Sequence, residues 1–250
     1  MIEPIKILLQ EFTPISLSEM EESALMKRSD TKFLIPSHQF PHIIKNLTAD
    51  YFILEINQNR LMTYHSLYFD TSDLKFYHDH HNKKSNRTKI RLRQYVESNL
   101  SFLEIKQKNG KGITKKTRIK VDSLAPYTIE QQQVFIQENT QQALELKHSL
   151  TNRFRRITLV NKTDKERVTF DFNISFTTEL GTEIWDEVVV VEVKQEKETS
   201  GTRIREVLKQ FHYYPFNISK YCMGMVKLYP QIKYNRFKKK ILKLNKIKLS

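Results

Sequence analysis

The sequence predicts an α+β protein with about eight antiparallel strands and with helices at its start, middle and end. Three observations carry that expectation. Lys89-Ile90-Arg91-Leu92-Arg93, Glu104-Ile105-Lys106-Gln107-Lys108 and Lys116-Thr117-Arg118-Ile119-Lys120-Val121 alternate charged with uncharged residues, the period-two pattern of a strand with unlike faces. Their connections are short, and the second carries Asn109-Gly110 and Gly112, a hairpin signal. Other stretches space their apolar residues three to four apart, as amphipathic helices do. An ordinary half-buried sheet turns its charges to water. Consecutive strands sharing one dense basic face point instead to a surface or lumen that holds a polyanion.

In chain order, residues 1–26 read as amphipathic helix, with Ile5, Leu8, Leu9 and Phe12 on one stripe. Ser16 or Ser18 caps a second short helix running through Met20, with Glu19 or Glu21 in its first turn. Met26–Ile35 alternates and stops at Pro36, the pattern of a strand, and residues 37–47 form a helix with Phe40, Ile43, Ile44 and Leu47 on one side. Leu61–Phe69 is a β-rich run ending in Asp70-Thr71-Ser72-Asp73, a turn or N-cap cluster. A helical turn follows at Leu74–Asp79. The basic strands lie at 86–97, 100–108 and 113–121, and Gln-rich residues 129–148 read as a helix. Asn152–Val160 and Glu166–Phe176 pair across residues 161–165, and Glu187–Gln195 is a further strand. Ser200-Gly201-Thr202 leads into a helix over 202–211 carrying Ile204, Val207, Leu208 and Phe211, and a last short helix follows Pro215 near Ser219-Lys220-Tyr221. No composition shift divides residues 1–230. The segment 231–250 mixes Lys with Ile and Leu, either a frayed basic helix or an electrostatic patch for an acidic membrane surface or nucleic acid.

The bulk composition narrows the function classes. A net charge of +14 and a pI near 9.6 favour anionic partners, and 39% hydrophobic residues allow a sizeable core. The single cysteine, Cys222, excludes an intrachain disulfide, fits a reducing compartment and reads as structural. The N-terminus lacks the basic and apolar regions of a secretory signal. The longest apolar run, Val188–Val191, is too short to span a bilayer. A cytoplasmic location is therefore expected. There is no Gly-x-x-x-x-Gly-Lys-Ser/Thr loop, so phosphate handling is not of the P-loop type. His78, His80 and His81 read as loop histidines without the supporting ligands of a zinc site.

Ordered blocks converge on a family. They are Arg28-Ser29-Asp30-Thr31-Lys32-Phe33, Ser66-Leu67-Tyr68-Phe69-Asp70-Thr71, Lys89-Ile90-Arg91-Leu92-Arg93-Gln94-Tyr95 and Phe102-Leu103-Glu104-Ile105-Lys106. Lys115-Lys116-Thr117-Arg118, Phe154-Arg155-Arg156, Arg167-Val168-Thr169-Phe170-Asp171, Val191-Glu192-Val193-Lys194 and Ser219-Lys220-Tyr221-Cys222-Met223-Gly224-Met225 continue the series. In this order they resemble the VTC domain, the polyphosphate-polymerase domain of the vacuolar transporter chaperone complex, within the triphosphate tunnel metalloenzyme superfamily. The resemblance implies an eight-stranded antiparallel β-barrel tunnel with a charged lumen and helices packed outside. It also implies a polymerase that transfers the γ-phosphate of ATP to inorganic polyphosphate with Mn²⁺ or Mg²⁺.

The site residues follow from the matching positions. Lys32 is assigned to phosphate binding, on a strand that reads Arg28-x-Asp30-x-Lys32 where the superfamily often has Glu-x-Glu-x-Lys. Arg91 and Arg93 match paired arginines whose forks bind phosphate bidentately, with Lys89 on the same face and Arg87 toward the mouth. Ion pairing of the arginines with Glu104 is the compatible structural reading. Lys106, Lys116 and Arg156 match further phosphate positions, Arg118 shares the face of Lys116, and Arg153 and Arg155 fall opposite Arg156. Glu192 interrupts an otherwise apolar run, where an unpaired charge is costly. The resemblance makes it the metal ligand, a salt bridge to Lys106 or Lys194 is the alternative, and Glu104 and Asp171 are secondary metal candidates. Lys220 closes the phosphate site. Arg91, Arg93, Lys106, Arg156 and Lys220 are taken as catalytic. The alternatives are a tripolyphosphatase or nucleoside triphosphatase using the same tunnel, or a non-catalytic receptor for polyphosphate or inositol polyphosphates. The expected partners are ATP and polyphosphate, with a membrane protein possible for polymer handling and nucleic acid not expected.

Overall fold

The computed structural model describes residues 2–22, 28–111, 113–122, 130–196 and 201–248. The chain opens with α1 (Ile2–Leu9), β1 (Thr13–Ile15), α2 (Leu17–Glu22), β2 (Arg28–Pro36) and, after a short 3-10 turn, α3 (Phe40–Lys45). Then come β3 (Tyr51–Leu54), β4 (Met62–Asp70), α4 (Lys75–His81), β5 (Arg87–Tyr95), β6 (Leu100–Lys108), β7 (Thr114–Val121) and α5 (Glu130–Thr140). The second half comprises β8 (Lys147–Asn161), β9 (Glu166–Thr178), β10 (Gly181–Trp185), β11 (Val188–Glu196), α6 (Arg203–Gln210), α7 (Lys220–Leu228) and α8 (Lys238–Lys248).

The strands form one sheet whose main path is β2-β11-β9-β8-β4-β5-β6-β7, antiparallel throughout. β10 extends β9, β3 pairs with β8, and β1 pairs with β3 in parallel. Among the described residues, the two ends of the path, β2 and β7, do not pair with each other. The expected closed barrel is therefore observed as an open sheet. It is curled around the segment leading into α7: Lys89 of β5 donates to Ser219, the adjacent Lys220 donates to Asp171 of β9, and Phe216 N donates to Lys32 O of β2. A right-handed twist accumulated over many strands produces such a curl.

Alternation along the strands decides what lies on each side. Val189, Val191 and Val193 face a convex core with Phe33, Ile35, Phe170 and Phe172, covered by α1, α3 and α6 through Ile5, Phe40, Ile43, Ile44, Ile204 and Val207. Val188, Val190 and Leu34 face the concave side, where Tyr221, Met223 and Met225 of α7 and Leu244 and Ile247 of α8 cover them. Both faces of β11 are thus buried, which explains its continuous apolar run. On the other half, Ile90, Leu92, Leu103 and Ile105 turn outward against Ile136 of α5. Their alternate positions carry the charges inward.

Most strands lie where the alternation places them, with several corrections. The helix expected over 129–148 ends at Thr140, and β8 already starts at Lys147. The Gln-rich pattern lacked a helix terminator, so its end was not marked. The short strands β1, β3 and β10 were not anticipated; each has three to five residues, too few for a period to register. His78, His80 and His81 belong to α4 and not to a loop, and His81 is buried. Ser16 is the cap of α2: its hydroxyl accepts from Glu19 N at 3.3 Å, while Glu19 Oε2 accepts from Ser16 N at 2.9 Å, a capping box. The start of the first strand at 26–27, Gly112, Ile129 and Ser200 lie outside the described residues. No described helix is long and apolar enough to cross a membrane.

Gly224 fixes how closely α7 approaches the sheet. A Cβ at this position would stand 2.7 Å from both Leu150 Cδ2 and Phe176 Cδ1. We expect Gly224→Val to destabilise the protein by about 1–3 kcal/mol through overpacking, read as a lower urea midpoint with an unchanged slope. An unchanged midpoint would show that α7 does not need this close approach.

Candidate active site

The inward positions of neighbouring strands bring the charges together in three knots, each centred on a carboxylate. Register sets Glu104 of β6 opposite Arg91 on one side and Arg118 on the other. Glu104 is 2% exposed. Its Oε2 accepts from Arg91 Nε at 2.8 Å and lies 2.6 Å from Arg91 Nη2, while Lys116 Nζ donates to Oε1 at 2.5 Å. Burial alone would raise its pKa, but Arg91, Arg93 and Lys116 hold it well below the usual carboxylate range.

Asp171 of β9 anchors the second knot. Arg156 Nε and Nη2 grip its two oxygens at 2.5 and 2.8 Å, and Lys220 Nζ donates to Oδ2. Against a burial penalty, Arg156 and Lys220 keep this carboxyl far below its ordinary value. A β-bulge makes the knot possible. Between Arg153 and Arg155 the register with β9 slips, and Asn173 takes φ 47°. The extra residue lets Asp171 share the concave face with Ile174 and Phe176.

Glu192 of β11 forms the third, flanked by Lys32 Nζ at 2.9 Å and Lys194 Nζ at 3.3 Å. Burial opposes its charge, and Lys194, Lys32 and Arg156 override that and push its pKa well down. Lys194 is thus a direct partner of Glu192, Lys32 is the closer cation, and Lys106, the other expected partner, does not come within ion-pair distance.

Arg93 differs from these. Among the described residues no carboxylate lies within ion-pair distance of it, although it is 7% exposed. Nε donates to Ser66 Oγ at 3.0 Å, and the guanidinium lies over the Tyr64 and Phe154 rings at 5.3 and 5.7 Å. The same aromatic pair also receives Arg156, at 4.7 and 5.2 Å, and Lys220 sits 4.2 Å from the Phe154 centroid. Such cation–π contacts hold charge in place without neutralising it. Burial and the neighbouring Arg91 lower the pKa of Arg93, and the attraction of Glu104 offsets them only in part.

The rest of the basic lining is arranged around these knots. Ser219 caps α7 by accepting from Cys222 N, and Lys89 Nζ donates to the same hydroxyl at 2.9 Å. Lys220 is the first residue of α7 and reaches Asp171, so the helix and the sheet meet at the charges. Lys106 projects from β6 into the cavity, exposed. Arg118 lies over the Phe102 ring at 4.6 Å, exposed. Tyr68 OH accepts from Arg91 Nη1 at 3.3 Å, and its ring stacks on Tyr221 at 5.0 Å. Burial lifts this phenol, but Arg91, Arg93 and Lys89 bring it down to about 8. Burial lowers Lys116 and Lys220 to about 8 despite their carboxylate partners.

Lys32, Lys89, Arg91, Arg93, Lys106, Lys116, Arg118, Arg156, Lys220 and Glu192 thus all lie on the concave face, while Arg153 projects outward, exposed. The sequence does not single out Ser66, Tyr64, Phe154, Ser219 or the clamping role of Asp171. The parity of Tyr64, Ser66 and Tyr68 on β4 was a usable signal. The bulge that flips β9 left none.

Glu104, Asp171 and Glu192 each have both oxygens engaged by cations, and the grip is loosest at Glu192, where Lys32 and Lys194 stand at 2.9 and 3.3 Å, so Glu104 and Asp171 are anchors for the lining more than ligands for a metal. Among the described residues no cluster of three or more His, Cys, Asp or Glu side chains could hold a metal ion. Glu192 does have a suitable neighbour: Thr169 stands opposite it in register, and among the described residues the buried Thr169 hydroxyl has no hydrogen-bond partner. One carboxylate and one hydroxyl fit a hard divalent ion only if phosphates and water complete its oxygen shell.

A family model described as the VTC domain matches residues 27–229. No curated protein matches the chain. Solved structures similar to it include a Bacillus halodurans protein described as a candidate adenylate cyclase, 16% identical, with a TM-score of 0.48, covering 82% of this chain and 100% of that one. A Hippeastrum candidate adenylyl cyclase, described as having a dominant triphosphatase activity, is 15% identical over 81% of this chain and 96% of its own, with a TM-score of 0.46. A Pyrococcus horikoshii protein is 12% identical over 80% and 96%, with a TM-score of 0.44.

The depressed proton affinities give opposite expectations for stability and for binding. Lys116, Lys220 and Tyr68 hold protons less tightly when folded, so between about pH 8 and 10 the unfolded chain binds more protons and stability rises with pH. Over the same range the lysines lose charge and affinity for a phosphate chain falls. Melting temperatures with and without tripolyphosphate should therefore converge as pH rises. A ligand-induced shift that stays constant from pH 7.5 to 9.5 would contradict this.

Proposed function

We propose that this chain, which belongs to the VTC domain family, is a polyphosphate polymerase that moves the γ-phosphate of ATP onto a growing inorganic polyphosphate chain at its concave face. The observation that carries the reading is Arg93, a buried arginine with no carboxylate within ion-pair distance among the described residues, set among Arg91, Arg156 and Lys220. Arg91 is paired with Glu104, and Arg156 and Lys220 share Asp171, so the four cations have fewer anions than charges, and a linear phosphate chain supplies several.

In this reading Arg91 and Arg93 bind phosphate oxygens through their forks, and Arg156 and Lys220 orient the transferred group while Asp171 holds them in place. Lys32, Lys89, Lys106, Lys116 and Arg118 neutralise the flanking phosphates. Phosphoryl transfer needs positioning and charge stabilisation more than covalent protein chemistry. The terminal oxygen of the acceptor chain attacks the γ-phosphorus, the bond from that phosphorus to the β,γ-bridging oxygen breaks, and ADP leaves with that oxygen. No protein nucleophile takes part. Glu192, beside Thr169, would hold the Mn²⁺ or Mg²⁺ that neutralises charge on the phosphates. In a closed-tunnel form of the fold the lumen would be this cavity, with its seam between β2 and β7.

Hydrolysis of tripolyphosphate or nucleoside triphosphates is the second reading, with water as acceptor. One observation favours it: α7 and α8 fill the apolar half of the concave face, which suits a short substrate better than a threaded polymer. Against it stand the carboxylates. Glu104, Asp171 and Glu192 are all paired with cations and have depressed pKa values, so they are weak bases for activating water.

The test is incubation with [γ-³²P]ATP and Mn²⁺ and separation of the products. A phosphatase-sensitive ladder with stoichiometric ADP supports the polymerase, whereas orthophosphate alone moves the assignment to a hydrolase. We expect Arg93→Ala to lower kcat/KM by 10²-fold or more, as removing one charge-stabilising donor does, with an unchanged far-ultraviolet circular dichroism spectrum. Arg93→Lys should restore little, since it lacks the fork. Chelation by EDTA should abolish turnover and leave the melting temperature of the free protein unchanged. Full turnover in chelator would remove the metal role of Glu192.

A further inference from the structure

The last part of the chain carries a charge pattern that the concave site does not use. From Val207 to Ser250 the sequence contains no Asp or Glu, and it includes Lys233, Arg236, Lys238, Lys239, Lys240, Lys243, Lys246 and Lys248. Within this stretch α8 (Lys238–Lys248) packs on the sheet, with Leu244 and Ile247 buried and Lys248 paired to Glu183 at 2.8 Å. Its outer face is Lys238, Lys239, Leu242, Asn245 and Lys246, all exposed. Positions 238, 242 and 246 stand on one stripe at helical spacing. Leu242 is 67% exposed in the middle of it.

The patch extends beyond the helix. Arg236 donates from its backbone to His81 Nε2 at 3.3 Å and from Nη1 to Asn82 O at 3.3 Å. This ties the start of α8 to the end of α4 and brings exposed Lys83 alongside. Among the described residues, no carboxylate lies within ion-pair distance of Lys83, Lys238, Lys239 or Lys246.

We propose that the outer face of α8 docks on an acidic lipid surface, with Lys238, Lys239 and Lys246 against the headgroups and Leu242 inserted between them. Charge complementarity selects an anionic partner, and the apolar side chain distinguishes a bilayer from a soluble polyanion. A free phosphate chain gains nothing from an exposed leucine. An interfacial helix with lysines around an apolar residue gains both electrostatic attraction and burial. Docking in this way would leave the concave cavity occupied only by its own ligands.

The experiment is sedimentation of the full chain with vesicles of phosphatidylcholine containing phosphatidylserine, compared with phosphatidylcholine alone. Capture is expected on the acidic vesicles only, and it should weaken steeply with added salt. Lys238→Glu, Lys239→Glu and Lys246→Glu together should lower partitioning by about tenfold or more. Leu242→Ser should lower it severalfold with no change of charge. Phosphate-chain turnover should be unaffected in both variants, and Arg93→Ala should still bind vesicles. Absence of capture by the unmodified chain would overturn the proposal, as would capture indifferent to the lysine reversals or lost in Arg93→Ala. Retention of duplex nucleic acid in place of vesicles would also overturn it.

Discussion

Asp171 and its two cations are the constraint on which the site depends. Two cations, one from β8 and one from α7, meet at one buried carboxylate of β9. Leaving such a charge unpaired costs about 3–5 kcal/mol, so strand register, bulge and helix position must all be compatible with this contact. The Asn173 bulge puts Asp171 on the concave face, the antiparallel register puts Arg156 opposite it, and the close packing at Gly224 puts Lys220 within reach. Glu104 performs the same service on the other half of the sheet for Arg91 and Lys116. These carboxylates hold a dense positive lining together, and Arg93 is a buried member of it that none of them grips directly.

This arrangement links packing to chemistry. Tyr64 and Phe154 belong to the concave apolar core and also form the shelf on which Arg93, Arg156 and Lys220 rest. Tyr221 stacks on Tyr68 and donates to Asp70 at 2.5 Å, while Asp70 also accepts from the amides of Phe76 and Tyr77. A disturbance in α7 or α4 is therefore felt at the arginines, because the polar and apolar halves of the cavity share walls. The cations are preorganised in a cavity from which water is partly excluded, where their interaction with phosphate is stronger than at an open surface.

Much of this was legible in the sequence wherever one period held over a whole strand. The alternation in Lys89–Arg93, Glu104–Lys108 and Lys116–Lys120 gave the strands, their turns and their inward residues. Glu192 stood out because it breaks an apolar run. That β2 and β7 stay unpaired among the described residues was not legible, since pairing between the ends of a sheet has no local signature in either strand. Nor was the partnership of Asp171 with Arg156 and Lys220, because it depends on a bulge that shifts β9 by one residue, and a one-residue shift reverses every face. The C-terminal segment was ambiguous for a related reason. Its lysines mask the apolar stripe of Leu244 and Ile247, and only the packed helix separates the anchored face from the exposed one.

Isothermal calorimetry of tripolyphosphate binding in the presence of EDTA tests most directly whether the concave face is preformed for a phosphate chain. The account predicts a single saturable site without added metal, weakened by salt and lost in Arg93→Ala. Absence of binding in chelator, with binding restored only by a divalent ion, would show that the protein's own cations do not make the site and would contradict it.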